Sequence, residues 1–349
     1  MRYPNFINEG DTIGFVAPAF GCTIEPYRSA FENARKKFEE RGFSCYLGEN
    51  CFSDNGIGIS NTPEKCAEEF MQEMDNKENA CLISCGGGEL MCEIVPYLDF
   101  ERLRQIPPKW FMGYSDNTNA AFLLATLSDT AAIYGPCAPT FGMEPWHEAL
   151  EDALSLLKGE KLTVTNYKRW EIESRKDEEH PLEPYNLTEP FAMKVFLPNR
   201  GLKNGTANIS PVTGRLIGGC LDCLANLVGT SYDKVKEFEE NYREDGLIWF
   251  LEACDLNVFS IRRALWNLRE AGWFDTAKAF LIGRPMHFNE PMFDLDQYEA
   301  VIGILGELNV PVYMDLDIGH TAPMMPLICG AMATVEVGDN SIFVKMRTE

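Results

Sequence analysis

The first part of the chain alternates short apolar runs with longer amphipathic segments, and this alternation limits the possible folds more than any other feature. The strand-like runs lie at 11–17, 43–47, 80–85 and 109–112. Residues 26–41 and the segment that begins at Thr62-Pro63 are helix-like, the latter with Cys66, Phe70 and Met74 at four-residue spacing. Strands that alternate with helices predict a parallel sheet covered on both faces, with ligands beyond the carboxyl ends of the strands. The predicted fold class is therefore α/β.

Length and composition favour a globular protein of two domains. At about 150 residues per domain, 349 residues suggest two domains, and a hydrophobic fraction of 45% supplies ample core material. The 31 Lys and Arg against 53 Asp and Glu give a net charge of −22. Such a surface repels phosphate backbones and anionic lipids, so we expect neither nucleic acid nor a membrane as partner. We find no long apolar run and no leader-like N-terminus, and we expect a cytoplasmic protein.

A change of composition separates two domains. Residues 161–205 are rich in charge and proline and contain Trp170 and Tyr185. They are either a solvated linker or a functional loop that could act as a lid. Strand-like runs then return at 246–254, 279–283 and 310–316, around a helix-like segment at 258–271. We therefore predict an N-terminal α/β domain at 1–160, a linker or insertion loop at 161–205, and a C-terminal domain at 206–349.

Gly113-Tyr114-Ser115-Asp116 joins an apolar strand to a helix with almost no loop. A serine at such a turn is held above the sheet edge, where the first N–H groups of the helix can stabilise an oxyanion. The second glycine of the usual G-x-S-x-G elbow is replaced by Asn117. From these residues alone, Ser115 is either a nucleophile or a helix N-cap.

Gly86-Gly87-Gly88 follows the apolar run CLISC and is a second candidate site. Three glycines let the backbone turn sharply and approach a ligand closely. No Lys-Ser or Lys-Thr follows, which excludes a P-loop, and the spacing does not match a dinucleotide fingerprint. The turn is half of an oxyanion hole, a phosphate loop, or simply a structural turn.

A serine nucleophile needs a base and a group that orients the base. Of the four histidines, His287 and His320 follow strand-like runs, where catalytic loops are found. Glu252 lies in the apolar run IWFLEACD, where an acid is costly unless it is paired. It is either the partner of a histidine or a residue that faces water at the strand end.

Cys220 and Cys223 form the only C-x-x-C in the sequence. A zinc site would need a second pair of cysteines, or histidines at ligand spacing, and none lies nearby in the sequence. We therefore expect both thiols to pack on a helix beside Gly218-Gly219, and we expect no metal and no other cofactor.

Taken together, these segments resemble the LD-carboxypeptidase family of serine peptidases, which includes muramoyltetrapeptide carboxypeptidases and microcin C immunity proteins. The resemblance runs in order along most of the chain. The segments that carry it are GDTIGFVAPA (10–19), SCGGGELMCEIVPYLDF (84–100), KWFMGYSDNT (109–118), YGP (134–136), GRLIGGCLDCLANLVGT (214–230), LEACD (251–255), IGR (282–284) and IGHTAP (318–323).

The resemblance implies a role for each candidate residue. Ser115 would be the nucleophile, His320 the general base and Glu252 the residue that orients it. The backbone N–H groups of Gly87 and Asp116 would form the oxyanion hole. It also implies a parallel, flavodoxin- or amidotransferase-like N-terminal domain, a smaller mixed β-rich C-terminal domain that supplies Glu and His, and a homodimer.

Departures from the family pattern bear on the substrate. Cys85 and Gly88 stand where the cell-wall enzymes often have the Arg and Tyr of an Arg-Gly-Gly-Tyr turn. The insertion resembles that of the microcin-immunity branch, whose loop aromatics stack on a nucleobase; Trp170 or Tyr185 would do so here, with Gly86 also contacting substrate. We therefore expect hydrolysis of a peptidyl or aminoacyl nucleotide. A muramoyl-tetrapeptide carboxypeptidase and a catalytically silent binding protein of the same fold are the alternatives.

Overall fold

A computed structural model describes residues 1–205, 209–338 and 340–349. The chain divides into two compact units. Unit 1 comprises 1–162, 173–186 and 326–329, and unit 2 comprises 163–172, 187–325 and 330–349. The segment 161–205 is thus shared between the units. Among the helices within the described ranges, none has the length and apolar character needed to span a lipid bilayer.

Unit 1 is built on a mainly parallel sheet, as the alternating pattern predicts. Numbered along the whole chain, its elements are β1 (Thr12–Val16), α1 (Tyr27–Glu40), β2 (Ser44–Leu47), α2 (Pro63–Asp75), β3 (Asn79–Ser84), α3 (Phe100–Gln105), β4 (Trp110–Gly113), α4 (Thr118–Ser128), β5 (Ala132–Tyr134), α5 (Glu148–Leu157) and β15 (Leu327–Cys329). The strand order is β15-β5-β4-β3-β1-β2. All neighbours pair in parallel except β15, which is antiparallel to β5.

Helix α2 shows how the sequence produces this packing. Pro63 occupies its first turn, where a missing N–H costs nothing. Cys66, Phe70 and Met74 are all buried, which confirms the predicted face. The Phe70 ring meets Phe111 of β4 edge-on, with ring centroids 5.2 Å apart. Burial of one such side chain contributes about 1.5–3 kcal/mol, so this face fixes the helix on the sheet.

Unit 2 contains a mixed sheet, which confirms the predicted class of the C-terminal half. Its elements are β6 (Thr163–Thr165), β7 (Arg169–Trp170), β8 (Glu189–Pro190), β9 (Lys194–Leu197), β10 (Gly201–Asn204), β11 (Val212–Cys220), α6 (Leu221–Leu227), α7 (Val235–Asn241), β12 (Leu247–Glu252), α8 (Val258–Glu270), β13 (Ala277–Gly283), α9 (Gln297–Leu305), β14 (Val312–Leu316), β16 (Met332–Gly338) and β17 (Ser341–Arg347). The large sheet has the order β10-β9-β14-β13-β12-β11-β16-β17-β6, and β7 pairs with β8 separately.

The parallel strands β11 to β14 form the centre of this sheet. Their carboxyl ends meet at one edge, and the register places Cys220 of β11 beside Glu252 of β12. Gly218 of β11 has φ +150°, and a Cβ there would overlap the carbonyl oxygen of Phe250. Only glycine therefore allows β11 to approach β12 this closely. The resulting register brings the carboxyl ends of β11 and β12 together.

Candidate active site

Ser115 lies in unit 1 on the short connection between β4 and α4. Its φ of +64° falls in the left-handed region, which costs a non-glycine residue about 1–3 kcal/mol. Residues Ser115–Asn117 form a 3-10 turn, and Tyr114 and Asn117 occupy the N-cap positions of that turn and of α4. The interpretation of Ser115 as a simple N-cap is therefore wrong. A strained serine held at a strand-to-helix turn is typical of a nucleophile elbow.

Asn117 explains how this elbow forms without its second glycine. Its side-chain amide donates to the carbonyl oxygen of Gly86 at 2.7 Å and to that of Tyr114 at 3.0 Å. The N–H of Ser115 donates to the hydroxyl of Tyr134 at 3.3 Å. The buried asparagine thus ties the serine turn to the glycine turn, a structural task that a glycine could not perform.

The structure places the predicted oxyanion-hole residues beside Ser115. A Cβ added to Gly87 would lie 2.8 Å from Ser115 Oγ and 3.9 Å from the Asp116 amide nitrogen. The Asp116 carboxylate accepts from the Met91 N–H at 2.7 Å and from the Asn119 amide at 3.0 Å, which holds the residue in place. The absence of a side chain at Gly87 therefore leaves room for the Ser115 hydroxyl. The oxyanion role of the Gly87 and Asp116 amides stays a prediction.

In unit 2, Glu252 and His320 form a buried pair. Glu252 ends β12, and its Oε2 lies 2.8 Å from His320 Nδ1, with side-chain exposures of 0% for Glu252 and 11% for His320. The alternative in which Glu252 faces water is wrong. Gly319 has φ +93°, and a Cβ there would overlap the Glu252 carboxylate. Glycine is therefore required for the chain to bring His320 against Glu252.

The surroundings of His320 set its protonation. Burial by itself lowers the pKa of His320, but the charge of Glu252 and hydrogen bonds with Cys254 and Glu252 together raise that pKa well above its ordinary value. A carboxylate on Nδ1 fixes the tautomer and leaves Nε2 to accept a proton. The pair therefore has the arrangement of a general base with the group that orients it.

A buried ion pair supports the loop that carries His320. Arg284 and Asp317 pair with side-chain exposures of 1% and 0%. The guanidinium also donates to the carbonyl oxygen of Asp315 at 2.7 Å, and the Thr321 hydroxyl donates to that of Arg284 at 3.3 Å. These contacts join the ends of β13 and β14 to the segment around His320. This supporting role of Arg284 was not predicted from its place in the IGR segment.

The other histidines have different surroundings. His147 caps the N-terminus of α5. His180 pairs with Asp177 at 3.0 Å and His287 with Glu290 at 2.8 Å, but these histidine side chains are 61% and 42% exposed. Unlike the exposed His180 and His287, His320 is held by a buried carboxylate. This difference favours His320 over His287 as the base.

The two aromatic residues proposed to stack on a base lie in different units. Trp170, in unit 2, is 6% exposed; its ring centroid is 5.1 Å from that of Phe288, and the Arg284 guanidinium lies 4.7 Å above it. Tyr185, in unit 1, is half-buried and meets the His147 ring edge-on. Burial leaves Trp170 little surface for a ligand, so Tyr185 is the better of the two candidates, and the stacking role stays a prediction.

Cys220 lies in the cluster around the histidine, a placement that was not predicted from the sequence. One ligand atom each from Cys220, Glu252 and His320 lie within 4.8 Å of one another. Cys220 precedes α6 and Cys223 lies in its first turn, and both are buried thiols. The prediction that both thiols pack on a helix is confirmed for Cys223 and wrong for Cys220, which ends β11. The proximity of Cys220 to Glu252 depends on strand register, which local sequence does not contain.

Comparison with known proteins matches both halves of the chain to domains of one family. Residues 13–135 match the LD-carboxypeptidase N-terminal domain, and residues 213–335 match the LD-carboxypeptidase C-terminal domain. A Vibrio cholerae protein named as a carboxypeptidase is 28% identical over 98% of this chain and 97% of its own length. The microcin C7 self-immunity protein MccF of Escherichia coli is 26% identical over 96% and 93%. A Bacillus subtilis protein named as a murein peptide carboxypeptidase is 25% identical over 98% and 94%.

Solved structures show the same fold. An MccF-like protein from Bacillus anthracis superposes with a TM-score of 0.83 at 22% identity, covering 99% of this chain and 100% of that one. MccF in complex with aspartyl sulfamoyl adenosine gives a TM-score of 0.79 at 22% identity, over 99% and 98%. At this level of identity the likeness establishes the two-domain architecture.

Proposed function

Because the chain belongs to the LD-carboxypeptidase family, we propose that it is a serine hydrolase that cleaves amide bonds with Ser115, His320 and Glu252. The observation that carries this proposal is the 2.8 Å contact between the Glu252 carboxylate and His320 Nδ1 in a buried setting. The left-handed backbone of Ser115 supports the nucleophile role independently.

In the proposed reaction, Ser115 Oγ attacks the amide carbonyl while His320 Nε2 takes the hydroxyl proton. Glu252 stabilises the imidazolium that forms, and the N–H groups of Gly87 and Asp116 stabilise the tetrahedral oxyanion. His320 then gives its proton to the leaving amine, and water hydrolyses the acyl-enzyme. One oxyanion donor of this kind is worth roughly 100- to 1000-fold in rate.

The proposed substrate is an aminoacyl or peptidyl nucleotide. The E. coli relative is a microcin C7 self-immunity protein, and a structure of MccF holds aspartyl sulfamoyl adenosine. The glycine turn of this chain, which runs from Cys85 to Gly88, lacks the Arg and Tyr that often characterise the cell-wall enzymes. These features favour a nucleotide leaving group over a muramoyl peptide.

A second candidate is the release of the terminal D-alanine from a muramoyl tetrapeptide. The observation that favours it is the B. subtilis relative, named as a murein peptide carboxypeptidase, which covers 98% of this chain at 25% identity. That identity is close to the 26% of the microcin protein, so sequence similarity alone does not separate the two substrates.

One assay distinguishes these functions. The purified protein is incubated in parallel with aspartyl sulfamoyl adenosine and with muramoyl tetrapeptide, and products are followed by mass spectrometry. Ser115→Ala is the control for background hydrolysis, and a fluorophosphonate probe reports whether Ser115 is nucleophilic. Release of aspartate supports the first substrate and release of D-alanine the second. Absence of both products and of labelling would identify a silent binding protein.

A further inference from the structure

We propose that Cys220, Glu252 and His320 form a binding site for Zn²⁺, and that zinc bound there reversibly inhibits the enzyme. The inhibitory half of this inference rests on the proposed function, because it assigns His320 and Glu252 to catalysis. The binding half does not, since it depends only on the donor atoms of unit 2.

The geometry of the cluster fits a tetrahedral ion. Strand register places Cys220 beside Glu252, and the loop after β14 brings His320 against the same carboxylate. The three ligand atoms lie within 4.8 Å of one another. Zinc bonds of about 2.0–2.3 Å separate the ligands of a tetrahedron by roughly 3.3–3.8 Å. Rotamer adjustments of about 1 Å or less would therefore let the three side chains hold zinc without refolding the backbone.

The donor set selects zinc over the common hard cations. Thiolate, imidazole and carboxylate are its usual protein ligands, whereas Mg²⁺ and Ca²⁺ prefer oxygen alone. A divalent ion also neutralises the two negative charges of a Cys220 thiolate and the Glu252 carboxylate. This matters because both residues are buried, where uncompensated charge is costly. Three protein ligands leave the fourth position for water.

Neighbouring groups orient the sulfur of Cys220. Its thiol donates to Asp222 Oδ2 at 3.4 Å, and the same oxygen accepts the Cys254 N–H at 3.1 Å. Zinc binds cysteine as the thiolate and histidine without a proton on the coordinating nitrogen, so it must displace the thiol proton and the proton that His320 holds toward Glu252, and both pass to the buffer. The half-buried Cys254 and the partly exposed His320 mark the open side of the site.

Inhibition follows from the shared ligands. An imidazole and a carboxylate that coordinate zinc cannot serve as a base and its orienting group. The effect should be reversed by a chelator, because no covalent bond is formed.

The binding test uses the full-length, reduced, metal-free protein. It is titrated with Zn²⁺ by calorimetry and with Co²⁺ by absorption, because a thiolate ligand gives Co²⁺ an intense near-ultraviolet charge-transfer band. We expect one tight equivalent and that band in the unaltered protein. Cys220→Ser should weaken zinc binding by at least about 100-fold, the upper end of the loss caused by removing a residue that only supports a ligand, and should remove the band. Cys45→Ser, which removes a half-buried thiol of β2 in unit 1, should change neither.

The Co²⁺ band of the unaltered protein tests thiolate ligation even if a variant folds poorly, and thermal melts check each variant. Absence of the band, or its persistence in Cys220→Ser, would overturn the site.

Inhibition is scored as the ratio of rates with and without Zn²⁺ within each variant, with Mg²⁺ in parallel. A thiolate band without inhibition of an active enzyme overturns the inhibitory half. A thiolate band in a protein that hydrolyses neither substrate overturns the proposed function instead.

Discussion

Replacing Glu252 by Gln should slow the enzyme and, at the same time, move its activity to more acidic pH. The glutamine side chain keeps the shape and a hydrogen-bonding group but removes the charge that faces His320 Nδ1 at 2.8 Å. In the proposed mechanism only neutral His320 can accept the Ser115 proton, so kcat/KM is expected to rise as pH increases through the pKa of His320. Glu252 raises that pKa, whereas burial lowers it. Without the carboxylate the pKa of His320 falls, and the rising limb moves to lower pH.

The size of the rate loss follows from the same contact. Two unit charges 2.8 Å apart interact by about 6 kcal/mol at an effective dielectric constant near 20. This attraction is present once His320 becomes an imidazolium in the transition state. Since about 1.4 kcal/mol is tenfold in rate, full loss would cost roughly 10⁴-fold. The hydrogen bond that the glutamine retains should reduce the loss to about 10³- to 10⁴-fold in kcat.

The assay measures kcat/KM from acidic to alkaline pH for the unaltered protein and for Glu252→Gln. Glu290→Gln is the matched control, because it removes a carboxylate that pairs with a histidine, His287, in an exposed setting. Glu290→Gln should keep both the kcat/KM and the pH profile of the unaltered protein. A rising limb that stays in place or moves to alkaline pH in Glu252→Gln would refute the argument that the Glu252 charge raises the pKa of His320.

Three further outcomes are expected. Ser115→Ala should abolish turnover and fluorophosphonate labelling without lowering the melting temperature, since it removes only the hydroxyl. Gly87→Ala should reduce kcat at least about 100-fold, because the new Cβ would lie 2.8 Å from Ser115 Oγ; unchanged kcat would contradict the close approach. Arg284→Met should lower the free energy of unfolding by about 3–5 kcal/mol in urea titrations at neutral pH, because it leaves Asp317 buried without its cation.

The sequence predicts the fold well where the information is local. The helix expected over 26–41 is Tyr27–Glu40, and the helix expected over 258–271 is Val258–Glu270. Both have an apolar stripe at helical spacing, which determines the buried face. The structure of segment 161–205 is harder to predict from sequence, because its strands β7 and β8 are two residues each and show no periodicity.

The residues of the candidate site also differ in whether local sequence is enough to identify them. Ser115 could be identified because its signal, a strand that turns directly into a helix, lies within a few residues. Glu252 could be identified because an acid within an apolar strand needs a partner. The choice of His320 over His287 could not be made from local pattern, since both follow strand-like runs. The structure separates them by burial, because the His320 side chain is 11% exposed and that of His287 is 42% exposed.

Cys220 shows what neither local pattern nor resemblance could provide. Its proximity to Glu252 comes from the parallel register of β11 with β12, which is set by close packing at Gly218 and by the strands on either side. Neighbouring parallel strands are far apart in sequence. A search for metal ligands at short sequence spacing therefore misses such a cluster. The mechanism proposed for the hydrolase gives Cys220 no task. A buried thiol within 4.8 Å of His320 and Glu252 therefore calls for a separate explanation. Control of activity by a bound metal supplies one, and the Co²⁺ titration tests it directly.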